Sequence, residues 1–275
     1  MNIRKKRMRW FQNLILIIIG LMFLLPGVWM VVASFDPAAS QSIKIPQNAS
    51  FVNYLYVLTD AKIMQGFAMS FVIAAGQTAI VMILSLLAAY PLSRYGLKRA
   101  QTITFGLLFL TAIPMTAVMV PVYQLFIMFG LVDSVFGTIL FMSATGLPYG
   151  IWMTKNFLDT VSVELEEAAW IDGASTTKAV WLVVLPLMKP GIFTVVIYTF
   201  VRSWGNFFIP FILLQSADKL PAAVKIYRFF GDRGEVSFGP LCAYSVLYML
   251  PAVLLYSFAQ NYMSKGFTMS GAAKG

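Results

Sequence analysis

The sequence predicts an all-α integral membrane protein of six transmembrane helices. Three observations carry that prediction. Of 275 residues, 59% are hydrophobic and only 11% charged, with a mean hydropathy of +0.78. Soluble domains carry roughly 25% charged residues, so this much apolar surface needs lipid as its solvent. The apolar residues fall into six runs long enough to cross a bilayer. The polar residues gather between those runs.

Arg4, Lys5, Lys6, Arg7 and Arg9 precede an uncharged run from Trp10 to Phe35. A cleaved leader would have an apolar segment of only about 7–15 residues, so an uncleaved first span is expected near 11–33. Residues 36–65 form a polar connector with Pro37 and Pro46. The second span is expected near 68–92, stopping at Pro91 and Arg94. The third is expected near 102–126, kinked by Pro114 and Pro121, because proline removes a backbone donor and its neighbours must satisfy the freed carbonyls. A brief turn at 130–134 leads to a fourth span near 135–154. A polar stretch follows to about residue 184. The fifth span is expected near 187–214, the sixth near 240–263, with a polar loop at 215–239 between them. Six spans leave both ends on one side of the membrane.

Lys and Arg choose that side. The N-terminus holds five, the 94–99 loop three, the 155–189 segment three and the C-terminus two, thirteen together. The three opposite loops hold six, and Arg202, inside a span, is the last of the twenty. Both termini and the long polar stretch are therefore expected on the cytoplasmic face. The domain boundaries that follow are a basic N-terminus at 1–10, a permease body at 11–263 and a C-terminal tail at 264–275.

Several function classes lose ground on composition. There is no histidine and a single cysteine, Cys242. That removes the commonest general base, the commonest metal ligand, an internal disulfide and any thiolate cluster. No catalytic or metal-binding residues are assigned. No span carries Asp, Glu or His, which an ion-coupled transporter or a membrane enzyme would want at depth. No Gly-x-x-x-x-Gly-Lys-Ser/Thr run occurs, so nothing here cradles a nucleotide phosphate. The basic residues are not gathered on a polar domain, which argues against nucleic acid.

The polar stretch is the most informative part of the chain. Ser162 is placed to cap a short helix, with Glu164, Glu166 and Glu167 in its first turns, where negative charge suits the helix dipole. Gly173 is placed to end that helix with positive φ. Ser175 or Thr176 is placed to start the next, which runs to Leu185 and Pro186. Small alanines between carboxylates let another protein's surface approach closely. Glu167 is expected to be the polar anchor, and Glu166 to be simply solvated.

The run Glu167, Ala168, Ala169, Asp172, Gly173, Ala174, then Val183, Leu185 and Pro186, resembles the EAA loop of ABC-importer permeases. Val180 stands where that pattern usually has Phe. Ala88-Ala89-Tyr90-Pro91-Leu92-Ser93-Arg94 is similar to the family's Ala-Tyr-Ala-Leu-Ser-Arg ending of a conserved span, with Pro91 replacing Ala. The ending from Gln260 to Gly275 resembles that of the carbohydrate-uptake type, the maltose-type second (MalG-like) permease. The resemblance implies a binding-protein-dependent importer in a bacterial inner or plasma membrane. It implies partners: a second homologous permease, an ATPase dimer and an extracytoplasmic substrate-binding protein. It implies that this chain binds no cofactor, ATP and Mg being held by the partner ATPase. The loop at 155–186, with Glu167 to Ala174, would dock on that ATPase. The tail, with Lys274 and Gly275, would insert between its subunits. The tip Phe230, Gly231 and Asp232 would reach the binding protein.

For the substrate path, a sugar wants aromatic faces to stack on and amides or hydroxyls to bond. Trp204 and Asn206 supply both, with Arg202, Gln77 and Tyr149 as further candidates and Tyr90, Gln124 and Thr145 behind them. Helix–helix packing is the alternative for each. The family often shows Trp-Asn-Glu here, whereas this chain has Trp204-Gly205-Asn206 and lacks the carboxylate. A non-sugar solute such as glycerol phosphate, a peptide or an anion is the alternative cargo.

Overall fold

The computed structural model describes the backbone of residues 2–42, 44–231 and 235–272, with side chains from 8 to 258 within those ranges. The helices are α1 (Asn2–Ser34), α2 (Val52–Thr59), α3 (Ala61–Arg94), α4 (Ala100–Leu110), α5 (Met115–Met128), α6 (Val135–Leu158), α7 (Glu164–Ile171), α8 (Thr176–Ala179), α9 (Leu185–Leu187), α10 (Lys189–Trp204), α11 (Phe208–Leu213), α12 (Ala222–Lys225) and α13 (Phe238–Ala272). A π-helical turn, Val180–Val184, joins α8 to α9, and a 3₁₀ turn, Ile226–Phe229, follows α12. Phe230 and Val236 pair as an isolated antiparallel bridge.

Four described helices are long and apolar enough to cross a membrane: Met8–Ser34, Ala61–Arg94, Val135–Leu158 and Phe238–Phe258. Two further apolar stretches, in the regions of the third and fifth runs, are bent helix pairs. Ala100–Leu110 and Met115–Met128 meet at 87°, and Thr176–Leu187 and Lys189–Trp204 meet at 75°. Counting each bent pair as one span gives six.

The third run breaks rather than kinks for a local reason. Pro114 has no N–H and disfavours helical backbone at the residue before it. The chain therefore closes α4 with short turns, Thr111 N to Leu108 O at 3.0 Å, Ala112 N to Phe109 O at 3.1 Å and Ile113 N to Leu110 O at 3.3 Å. Pro121, by contrast, is accommodated inside α5. The fifth run also ends sooner than its hydropathy implies. Gly205 caps α10, and α11 starts separately at Phe208. Pro91 does not stop α3, which continues to Arg94.

The chain divides into two compact units. The first is Met1–Met64 with Lys225–Leu250. In it, Asn53 Nδ2 donates to the carbonyls of Ser34 and Asp36, both at 3.0 Å, closing the connector onto the end of α1. Lys225 Nζ donates to Lys62 O at 2.7 Å, and Arg228 pairs with Asp60 at 3.6 Å. These bonds tie the first connector to the 215–239 loop.

The second unit is Gln65–Val224 with Pro251–Gly275. Its centre is three helices, each burying an i, i+4 stripe. On α3 the stripe is Ile73, Gln77, Val81, Ser85 and Ala89; on α10 it is Gly191, Val195, Thr199 and Ser203. On α6 it runs from Met142 through Gly146, Gly150 and Thr154 to Leu158, with Gly146 half-buried. Glycine sets the spacing, as small residues do where helices pack in lipid. A Cβ at Gly150 would lie 2.6 Å from Ser85 Oγ and 2.7 Å from Val81 Cγ1, and one at Gly191 would lie 2.5 Å from Phe157 Cγ.

At one end of this unit, Asp133 gathers the neighbouring loop. It adopts φ 59, accepts from Gln215 N at 2.9 Å and Ser216 N at 3.0 Å, and pairs with Lys219 Nζ at 2.8 Å. Lys219, then Ser216 and the backbone amides, hold its carboxyl well below the ordinary carboxylate range. A depressed folded-state pKa means the unfolded chain binds the proton more readily. The tie is therefore present at neutral pH and is lost as pH falls below about 4 toward the depressed value. Asparagine tolerates positive φ, so Asp133→Asn removes the charge and spares the backbone. Faster amide exchange at Gln215 and Ser216 is expected in that variant at pH 7, matching wild type only in strong acid.

Candidate functional site: an acidic helix clamped to the end of a transmembrane span

The turns predicted for the polar stretch form, with two changes. Gly173 has φ +84, and Ser175 Oγ accepts from Lys178 N at 3.4 Å, capping α8. Ser162 does not cap α7. Val163 is the N-cap residue, and the Ser162 hydroxyl bonds the Glu164 carboxylate instead.

The second change corrects the roles expected of the two adjacent carboxylates. Glu166, expected in solvent, is 1% exposed, and it is the one residue of α7 that is buried. Its Oε1 accepts from Arg94 Nε at 2.5 Å, and its Oε2 from the Tyr90 hydroxyl at 3.0 Å. The guanidinium also donates to Val161 O at 2.9 Å. Beside this cluster, Ser93 Oγ donates to Asp159 Oδ1 at 2.5 Å, and Lys155 pairs with Asp159 at 2.6 Å. Leu158, Val161, Val184 and Met188 form the apolar floor, with Leu86 and Tyr90 of α3 packed against it. The end of α3 is thus fastened to the base of the polar stretch.

Glu167, Ala168, Asp172 and Gly173 are exposed, while Ala169 and Ala174 are half-buried. Large apolar side chains accompany them: Leu165, Trp170 and Ile171, the last 86% exposed. A two-turn helix has little stability of its own. Here it is held by a charge cluster on one side and left bare on the other. Such a face suits a protein groove that supplies apolar walls and a cation.

The substrate-path candidates separate. Trp204 is buried, its ring 5.8 Å from Phe200 in a stacked arrangement and 6.5 Å from Phe67. It serves helix packing, so the expectation of an open stacking face does not hold. Asn206 Oδ1 accepts from Ile209 N at 3.1 Å, in the first turn of α11. Gln77 is buried, and its Nε2 bonds Met142 O at 2.7 Å, joining α3 to α6. Thr145 bonds Met142 O at 2.9 Å within its own helix. Tyr90 belongs to the Glu166 cluster, and Gln124 is exposed on α5.

Two candidates remain open, and the structure adds neighbours that sequence reasoning missed. Tyr149 lies 4.5 Å from the Tyr198 ring and 5.5 Å from Trp152. Arg202, one turn beyond Tyr198 on α10, is exposed and has no ion-pair partner among the described residues. Tyr198 and Trp152 sit in apolar runs and carry no local signal; only the pairing of α6 with α10 brings them to Tyr149. Of the loop tip, Phe230 and Gly231 are exposed, and Gly231 N donates to Glu235 O at 2.7 Å. Asp232, Lys274 and Gly275 lie outside the described residues.

Residues 81–268 match the family model described as the binding-protein-dependent transport system inner membrane component. The chain is 29% identical over 275 residues to the melibiose/raffinose/stachyose import permease MelC of Bacillus subtilis, covering 99% of each chain. It is 29% identical over 263 residues to the trehalose/maltose transport system permease MalG of Thermococcus litoralis, covering 94% of each. It is 28% identical over 274 residues to the sulfoquinovosyl glycerol transport system permease SmoH of Agrobacterium fabrum, covering 97% of this chain and 93% of that one. A crystal structure of a bacterial ABC transporter involved in the import of the acidic polysaccharide alginate contains a chain of the same fold. The TM-score is 0.81 at 21% identity, over 95% of this chain and 99% of that one.

Proposed function

The chain belongs to the family of binding-protein-dependent transport system inner membrane components, and from that premise we propose that it is one permease subunit of a carbohydrate importer driven by a separate ATPase. The observation that carries this reading is α7: an acidic, alanine-bearing helix whose buried carboxylate is fixed to a transmembrane helix and whose other face is open. With both termini on the cytoplasmic face, as the Lys and Arg distribution favours, that open face meets the ATPase. Glu167 and Asp172 supply its charge, Ala168, Ala169, Gly173 and Ala174 its close approach. ATP and Mg belong to the partner, and this chain hydrolyses nothing. A second, homologous permease completes the path, and an extracytoplasmic binding protein delivers the cargo to the side bearing Phe230 and Gly231. The tail ending in Lys274 and Gly275 extends the ATPase contact.

Carbohydrate is favoured by the curated relatives, which carry melibiose, raffinose, stachyose, trehalose and maltose in their names, and by the rings of Tyr149, Trp152 and Tyr198. A second reading, an acidic solute, has one observation for it: the guanidinium of Arg202 near Tyr149, with no ion-pair partner among the described residues. Isolation in mild detergent tests both. The complex is expected to carry a second permease, a nucleotide-hydrolysing subunit and a binding protein whose ligand is a neutral sugar. An acidic ligand would favour the second reading. A chain that purifies with no ATPase would overturn both.

A further inference from the structure

The α7 segment meets the membrane body at two joints. On the α3 side the joint is stiff. Both oxygens of the Glu166 carboxylate are engaged, the Arg94 fork also holds Val161 O, and the Ser93–Asp159 bond adds a second tie. A guanidinium fork fixes direction as well as distance. Beyond it, α3 is locked to α6 where Gly76, Gly146 and Gly150 let side chains interdigitate. The α10 side packs into the same apolar floor through Val184 and Met188. The π turn Val180–Val184 and the 75° break before Lys189 interrupt the regular hydrogen-bond ladder, and such interruptions are where helices bend.

We propose that Arg94 and Tyr90 are positioning residues that make α7 and α3 one rigid lever. Displacement of α7 by its partner then reaches α3 undiminished. This deepens the permease reading and rests on it. Glu166 and Arg94 touch neither cargo nor ATPase; they act by holding α7.

The test uses the complete complex with Cys242→Ala and one spin-label pair at exposed sites, Leu87 on α3 and Glu164 on α7. The Leu87–Glu164 distance is expected to stay within about 2 Å between the nucleotide-free and ATP–vanadate states. Arg94→Ala is expected to broaden the Leu87–Glu164 distribution while ATP hydrolysis continues. The reversal Arg94→Glu with Glu166→Arg is expected to narrow it again, and Arg94→Lys, which keeps charge without the fork, to restore it in part. These rescues separate a joint from general stability and remain readable if Arg94→Ala assembles poorly. A hydrolysing complex in which the Leu87–Glu164 distance changes between the two states overturns the lever alone. A complex with no hydrolysis overturns the permease reading, and the lever with it.

Discussion

Glu166→Ala is expected to destabilise the folded chain by about 3–5 kcal/mol, and Glu167→Ala, one residue along, by no more than about 0.5 kcal/mol. The difference comes from what each carboxylate faces. Removing Glu166 leaves the Arg94 guanidinium, whose side chain is 6% exposed, with the Val161 carbonyl and the Ser93 hydroxyl as its remaining partners. An uncompensated buried charge is costly, whatever the intact pair contributes. The Tyr90 hydroxyl loses its acceptor in the same step. Glu167 is solvated already. Removing it costs the fold little and takes charge from the docking face. Thermal unfolding of the detergent-solubilised chain should therefore drop sharply for Glu166→Ala and stay near wild type for Glu167→Ala. Transport by the assembled complex should fail in Glu167→Ala despite its normal melting. Equal melting of the two variants would contradict the assignment of the buried role to Glu166.

Gly173→Pro is expected to abolish coupling. The residue sits at φ +84, where proline, fixed near −65°, cannot follow. Its N–H donates to Trp170 O at 3.0 Å, and proline has none to donate. The turn must rebuild, at a cost of about 3 kcal/mol or more, and the face from Glu167 to Ala174 is redirected. Gly173→Ala gives the graded control. A Cβ at this position meets nothing within 4 Å, so the penalty is backbone strain alone, about 1–2 kcal/mol. Transport should fall modestly in Gly173→Ala and below detection in Gly173→Pro. Membrane insertion should be unchanged in both, because the turn lies outside the spans. Normal transport in Gly173→Pro would remove this turn from the mechanism.

How much of this was legible in the sequence depends on the range of the physics involved. Hydropathy is a local sum, so the runs containing α1, α3, α6 and α13 were readable, as were the positive φ at Gly173 and the cap at Ser175. Pro114 announced trouble in the third run, yet a proline does not state whether a helix kinks or breaks by 87°. The fifth run hid its end at Gly205 because the apolar residues from Phe207 to Leu214 keep the hydropathy sum high past the polar group Arg202, Ser203 and Asn206. Glu166 and Glu167 were indistinguishable locally: both are carboxylates in the first turns of one short helix. Which is buried depends on the rotation of α7 against a guanidinium 72 residues earlier in the chain. The same holds for Trp204. An aromatic ring in a span suits packing and sugar stacking equally, and only the neighbours Phe67 and Phe200 decide for packing.

The central claim, that the open face of α7 receives a cytoplasmic ATPase, is tested most directly with one cysteine at Ile171 on the Cys242→Ala background. Membrane-impermeant maleimide should label it in inside-out vesicles stripped of the ATPase and not in intact cells, and in unstripped membranes a short bifunctional cross-linker should join it to a nucleotide-hydrolysing subunit. Labelling from outside intact cells, or a cross-linked partner that does not hydrolyse nucleotide, would contradict the account.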